Sequence, residues 1–120
     1  MVKFNIDYDG ESDDLFLYSD TKSKGSIEIG DVILDFDHKG DLVGIELLQA
    51  TKFLKDSIVK EDSSLVSKSF LSSLEACTVE TKQQANFLFI KIQLSGKKES
   101  IVCPINAPLI KEKSPALVYA

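Results

Sequence analysis

A chain of 120 residues with 43% hydrophobic content has the size of one domain and enough apolar residues to fold without a disulfide staple or a structural metal. It carries a net charge of −5 and a pI near 4.8, and all fourteen basic residues are lysines; without arginine, the residue best suited to bidentate phosphate and base-edge contacts, a nucleic-acid partner is not expected. No apolar run approaches the roughly 18 residues of a membrane span, and the opening MVKFNIDYDG lacks the apolar core of a signal peptide, so a cytoplasmic domain with no membrane contact is expected.

The first third predicts strands. KFNIDY (3–8) alternates, with Phe4, Ile6 and Tyr8 on one face, and DLFLYS (14–19) resumes after a turn-rich connection. SDTKSKG is a loop. SIEIG places Ile27 and Ile29 together, and Gly30-Asp31 can turn or bulge the chain. In DVILDFD, Val32, Leu34 and Phe36 face one way, while Asp31, Ile33, Asp35 and Asp37 face the other, because strand side chains alternate with period two. DHKGD is a turn in which Gly40 suits the left-handed conformation, and LVGIE returns as a strand with Val43 and Ile45 on one face.

The middle of the chain changes period. Leu47, Ala50, Thr51, Leu54 and Ile58 share a helical face, which predicts a helix over about 47–60 packed on the sheet. Val66, Phe70, Leu71 and Leu74 predict a second helix, with Asp62-Ser63-Ser64 as capping residues and a propensity lowered by serines. ACTVETK then alternates Cys77, Val79 and Thr81. In NFLFIKIQL, Leu88, Ile90, Ile92 and Leu94 share one face, and Phe87, Phe89, Lys91 and Gln93 the other. SGKK turns, and ESIVCPI pairs back; Pro104 points to a sheet edge or a strand end. The apolar PALVYA is expected to dock on this subunit or on another. The expected fold class is α+β: a mainly antiparallel, twisted sheet built of hairpins, with about two helices packed on one face, in the order four or five strands, two helices, three strands. One domain is expected over 1–120, made of hairpins and a helix (1–60), a helix and strands completing the sheet (61–110), and a tail (111–120).

Charge is uneven along the chain. Residues 1–46 hold twelve acidic residues and four lysines, net −8; the remainder holds seven acidic residues and ten lysines, net +3. The window DFDHKGDLVGIE (35–46) imitates a calcium loop, with Asp35, Asp37, Gly40, Asp41 and Glu46 at positions one, three, six, seven and twelve. Lys39 stands at position five, where an oxygen ligand belongs, and strand-like flanks cannot supply the helix–loop–helix geometry. Asp35, Asp37, Asp41 and His38 are thus the metal candidates of a segment whose bland interpretation, a solvated hairpin, is preferred. Cys77 and Cys103 form no C-x-x-C pair, and one histidine cannot complete a zinc site of usual composition, so two buried thiols are expected. No phosphate-loop, dinucleotide-binding, nucleophile-elbow or zinc-protease motif occurs. No catalytic residue and no cofactor are expected.

YDGESDDLFLYSD, followed by IGDVILDFDHKGDLVGIELLQATKFL, resembles the domain-of-unknown-function family 2283 over about residues 6–54. Tyr8, Asp9, Asp13, Leu15, Leu17, Val32, Asp35, Asp37, Gly40, Val43, Gly44, Ile45, Glu46 and Ala50 match its pattern, and Phe16 replaces its usual tyrosine. The resemblance implies no activity, cofactor or catalytic residue; by analogy it implies antitoxin-like or regulatory partner binding. The residues themselves favour a non-enzymatic protein-interaction module, pairing with a protein partner or with itself as a homodimer, with Phe87 and Phe89 as the interface. The rival is a small-ligand or divalent-metal binding protein, with enzymatic activity in its scope, built on Asp35, Asp37 and His38.

Overall fold

Period-two alternation dominates the computed structural model, which describes residues 1–58 and 64–108. The described residues form β1 (Val2–Asp9), β2 (Asp14–Tyr18), β3 (Gly25–Ile29), β4 (Val32–Phe36), β5 (Leu42–Leu47), α1 (Ala50–Ser57), α2 (Lys68–Ser72), β6 (Ala76–Gln84), β7 (Phe87–Ser95) and β8 (Ser100–Pro108). All the strands join one antiparallel sheet in the order β3-β4-β5-β2-β1-β6-β7-β8. Its two halves meet on β1. Residues 5–9 of that strand pair with β2, and residues 2–4 pair with β6.

The expected α+β packing is corrected here. The described residues are mostly sheet, curled into a half-barrel, with only two short helices among them. Every strand sends one set of apolar side chains to the inner side, and the curl makes the sheet cover itself: Leu15, Leu17, Leu34, Ile45, Leu47, Ile92 and Leu94 are fully buried in one core. On that inner side a separate helical layer has nothing left to cover. The helices insert Ala50, Leu54, Phe70 and Leu71 into that same core, and at eight and five residues they are too short to form a layer.

The element boundaries moved for local reasons. Leu47 closes β5 instead of opening α1; Gln49, with φ of 49°, makes the break, and the helix starts at Ala50. The apolar repeat from Leu47 to Ile58 is therefore shared between a strand end and a helix. Residues 59–60, the end of the predicted helix, lie outside the described residues, as do Asp62, Ser63 and the PALVYA tail. Ser67 caps α2, its hydroxyl accepting the Phe70 N–H at 3.0 Å. Pro104 sits on β8, the outermost strand of its half, as its missing N–H requires. Among the described residues no helix is long and apolar enough to cross a membrane.

Candidate functional site

The acidic hairpin does not assemble the site its residues suggested. Alternation would place Asp35 and Asp37 on one outward face, but the register shifts between Asp35 and Phe36, and β4 ends at Phe36. Asp35 stays on the outer face, where its Oδ1 accepts the Ser26 hydroxyl. Gly44 stands directly across from it: an added Cβ there would come within 2.7 Å of Asp35 Oδ2 and 3.2 Å of Asp35 Cβ, so the glycine makes room for that carboxylate.

Asp37 turns inward and is only 6% exposed, which corrects the expectation of a solvated residue. Its Oδ1 accepts the N–H groups of Lys39 and Asp41, both at 2.9 Å, and its backbone carbonyl accepts from Gly40 at 3.1 Å. Gly40 has φ of 85°, a conformation that glycine adopts without steric penalty. Burial pushes the Asp37 carboxyl up, but the two N–H donors, with His38 and Lys39 close by, outweigh it and hold the group below the usual carboxylate range. His38 and Asp41 are exposed. Among the described residues no group of three or more His, Cys, Asp or Glu side chains is gathered as metal ligands would be.

A second carboxylate escaped the sequence reading. Asp13, in the left-handed region with φ of 59°, reaches across to the start of α1. It accepts the Tyr8 hydroxyl at 2.6 Å, the Thr51 hydroxyl at 2.6 Å and the Thr51 N–H at 3.1 Å, while its carbonyl takes the Ala50 N–H at 2.8 Å. A helix with no local side-chain cap is thereby capped from 38 residues away. The Tyr8-Asp9 and Asp13 spacing was the available signal. Asp9 has its own local task, accepting the Glu11 N–H at 2.9 Å within the connecting turn.

Four acids do converge. Asp7, Asp9, Asp14 and Glu46 line a shallow outer hollow of about 250 Å³ beside Phe16, whose ring stacks on Tyr18 at 4.9 Å. Partial burial raises the Glu46 carboxyl above its ordinary 4.5, and Asp14 and Asp35 push it further. A raised carboxyl binds its proton more tightly in the folded state, so ionising it destabilises the fold as pH rises through the folded pKa. Glu46→Gln is therefore expected to stabilise the protein at neutral pH by a few tenths of a kcal/mol, after solvent screening. The gain should vanish below pH 4.5, which thermal melts across pH can check. A gain that persists in acid would show that the repulsion is not its source.

The other half of the outer surface is apolar. Phe87 is 46% exposed, Phe89 38% and Val102 40%. They share the outer face of β7 and β8, with the two rings 6.1 Å apart. Lys82 and Asn106 flank Phe89 in register, Pro108 lies opposite Phe87, and the row Glu80–Lys91–Pro104 runs alongside. The two cysteines face the core from β6 and β8 with β7 between them. Burial pushes both thiols up to about 12, so neither presents a thiolate nucleophile at neutral pH.

The model of the family described as protein of unknown function (DUF2283) matches residues 5–50. The uncharacterized protein MJ0789 of Methanocaldococcus jannaschii is 48% identical over 105 residues, a stretch covering 84% of this chain and 82% of that protein. No solved structure matches.

Proposed function

The chain belongs to the DUF2283 family of proteins of unknown function, and on that premise we propose that it is a non-enzymatic interaction module that pairs with a second copy of itself through the outer face of β7 and β8. The observation that carries this is the exposure of Phe87, Phe89 and Val102 together on adjacent strands. The curled sheet has already used its inner face for the core, and both helices contribute to that side. Nothing among the described residues is left to cover the outer phenylalanines, and clustered apolar surface of this kind marks interfaces.

The rim favours self-pairing. Lys82, Lys91 and Glu80 border the aromatic pair in neighbouring register rows, so both signs of charge are present on one patch. A two-fold axis can then bring lysines of one copy to the glutamate of the other, as an isologous contact requires. Three of the carboxylates shared with the family pattern have structural work that needs no substrate: Asp9 and Asp37 close turns and Asp13 caps a helix.

Sedimentation equilibrium on the full chain is expected to give a dimer in the micromolar range, and Phe89→Lys is expected to give a monomer. The residue is on the surface, so the variant should keep its fold by circular dichroism. A monomeric parent overturns the proposal; a dimer unaltered by Phe89→Lys removes this face from it.

A further inference from the structure

The half-barrel is open at one end. There the β4–β5 hairpin stands across from the β6–β7 hairpin, with the start of β1 as the floor. β6 pairs with Val2 at Val79, and residues 80–84 run on past it with Thr81 and Gln83 exposed. The space between the two hairpins is a cleft of about 480 Å³, within the size range of small-molecule sites, about 300–1,000 Å³. Phe4, Phe36, Val43 and Leu88 form its apolar wall, each less than 8% exposed.

Asp37 stands in that wall. Its Oδ1 is occupied by the two turn N–H groups, whereas its Oδ2 has no hydrogen-bond donor among the described residues. The described residues hold no fully enclosed unpartnered side-chain atom, so Oδ2 keeps some exposure, and Asp37 is one of the residues that line the cleft. The described residues lining the cleft include a second carboxylate, Asp41, and no lysine or histidine. A mostly buried carboxylate beside apolar walls is poorly solvated, and a charge-assisted hydrogen bond from a cation is the strongest interaction open to it.

We propose that this cleft binds a small organic cation, an amine or amidinium carried on a compact apolar body, with Asp37 Oδ2 as its counter-ion. The apolar part packs on the wall formed by Leu88, Val43, Phe4 and Phe36. Anions are rejected by the two carboxylates. A divalent metal ion is less suited, since among the described residues no third acid or histidine is gathered there. The cleft opens on the inner side of the sheet, opposite the face assigned to self-pairing, so either proposal can fail without the other.

The test is an NMR titration of the full chain, labelled with ¹⁵N, using benzamidine as the probe and benzyl alcohol as its neutral counterpart. Benzamidine is expected to shift the amides of residues 37–43 and 81–88 saturably, and to bind at least about tenfold more tightly than benzyl alcohol. Asp37→Asn should weaken it by about tenfold or more. Val2→Lys, at a residue 56% exposed on the rim, brings an ammonium to the mouth without touching the turn and should weaken benzamidine similarly, which keeps the test valid if Asp37→Asn disturbs the hairpin. No saturable shift below roughly 10 mM, equal binding of the alcohol, or undiminished binding to Val2→Lys would each overturn the proposal.

Discussion

Leu54→Ala is expected to cost about 3 kcal/mol, within the range of about 2–5 kcal/mol for emptying a buried leucine site. Leu54 is fully buried in the single core, and α1 has only eight residues. A helix that short does not persist alone in water, because the cost of nucleation is spread over too few hydrogen bonds. Burial of Leu54 and Ala50 is what holds it in place. The variant should lose stability in denaturant melts and also show faster amide exchange through α1. Lys55→Ala, one residue on and exposed, should change stability by about 0.5 kcal/mol or less. A cost for Leu54→Ala below about 1 kcal/mol would show that α1 is an ornament on the sheet and not part of its core.

Asp13→Ala should be comparably damaging, at about 3 kcal/mol, since a hydrogen bond to a charged group contributes about 1.5–3 kcal/mol and its loss strands partly buried donors. Three donor groups converge on this carboxylate, the Tyr8 hydroxyl and the hydroxyl and N–H of Thr51, and alanine is also less suited than aspartate to the left-handed backbone at this position. Asp13→Asn tolerates that backbone and retains one acceptor, so it should fall between alanine and the parent. Tyr8→Phe and Thr51→Val should each cost less in an Asp13→Ala background than alone, because the shared acceptor is already gone. Full additivity in those double-mutant cycles would break the network apart.

The same residue shapes the acid response. Burial raises the Asp13 carboxyl, but the Thr51 and Tyr8 hydrogen bonds and the charge of Lys68 lower it further, leaving it below its ordinary 3.8. A depressed carboxyl contributes stability that is fully present above the unfolded value and is lost as pH falls through the folded one. Asp9 and Asp37 are shifted in the same direction. Unfolding is therefore expected to steepen below about pH 4, and Asp13→Asn should flatten that limb, which melts between neutral and acid pH will show.

The functional surfaces were unequally legible. Phe87 and Phe89 could be read as an exposed pair because Leu88, Ile90 and Ile92 already claimed the buried face of the same strand. The cleft could not be read, because it needs the β4–β5 hairpin to stand across from the end of β6 and β7, elements some 40 residues apart in sequence. Asp35 and Asp37 looked like a pair under strict alternation; one register shift separated them, sending one carboxylate to the outer face and the other into the cleft wall. Asp13 looked like one acid among several, and its contacts with Tyr8 and Thr51 distinguish it.

By itself the sequence determined the local alphabet of this protein: where strands run, which side chain of each faces inward, and where Gly30 and Gly40 turn the chain. Those properties follow from backbone sterics and the two-residue repeat, which act over a few neighbouring residues. The tertiary structure decided the rest: that β2 lies between β1 and β5, that β1 divides its length between β2 and β6, and that the sheet curls to enclose its own apolar face. Each of these depends on pairing between distant segments, and the side-chain period is the same whichever strand lies alongside. Sheet closure made a helical layer unnecessary, because apolar area is removed from water as effectively by the far side of a curled sheet as by a helix.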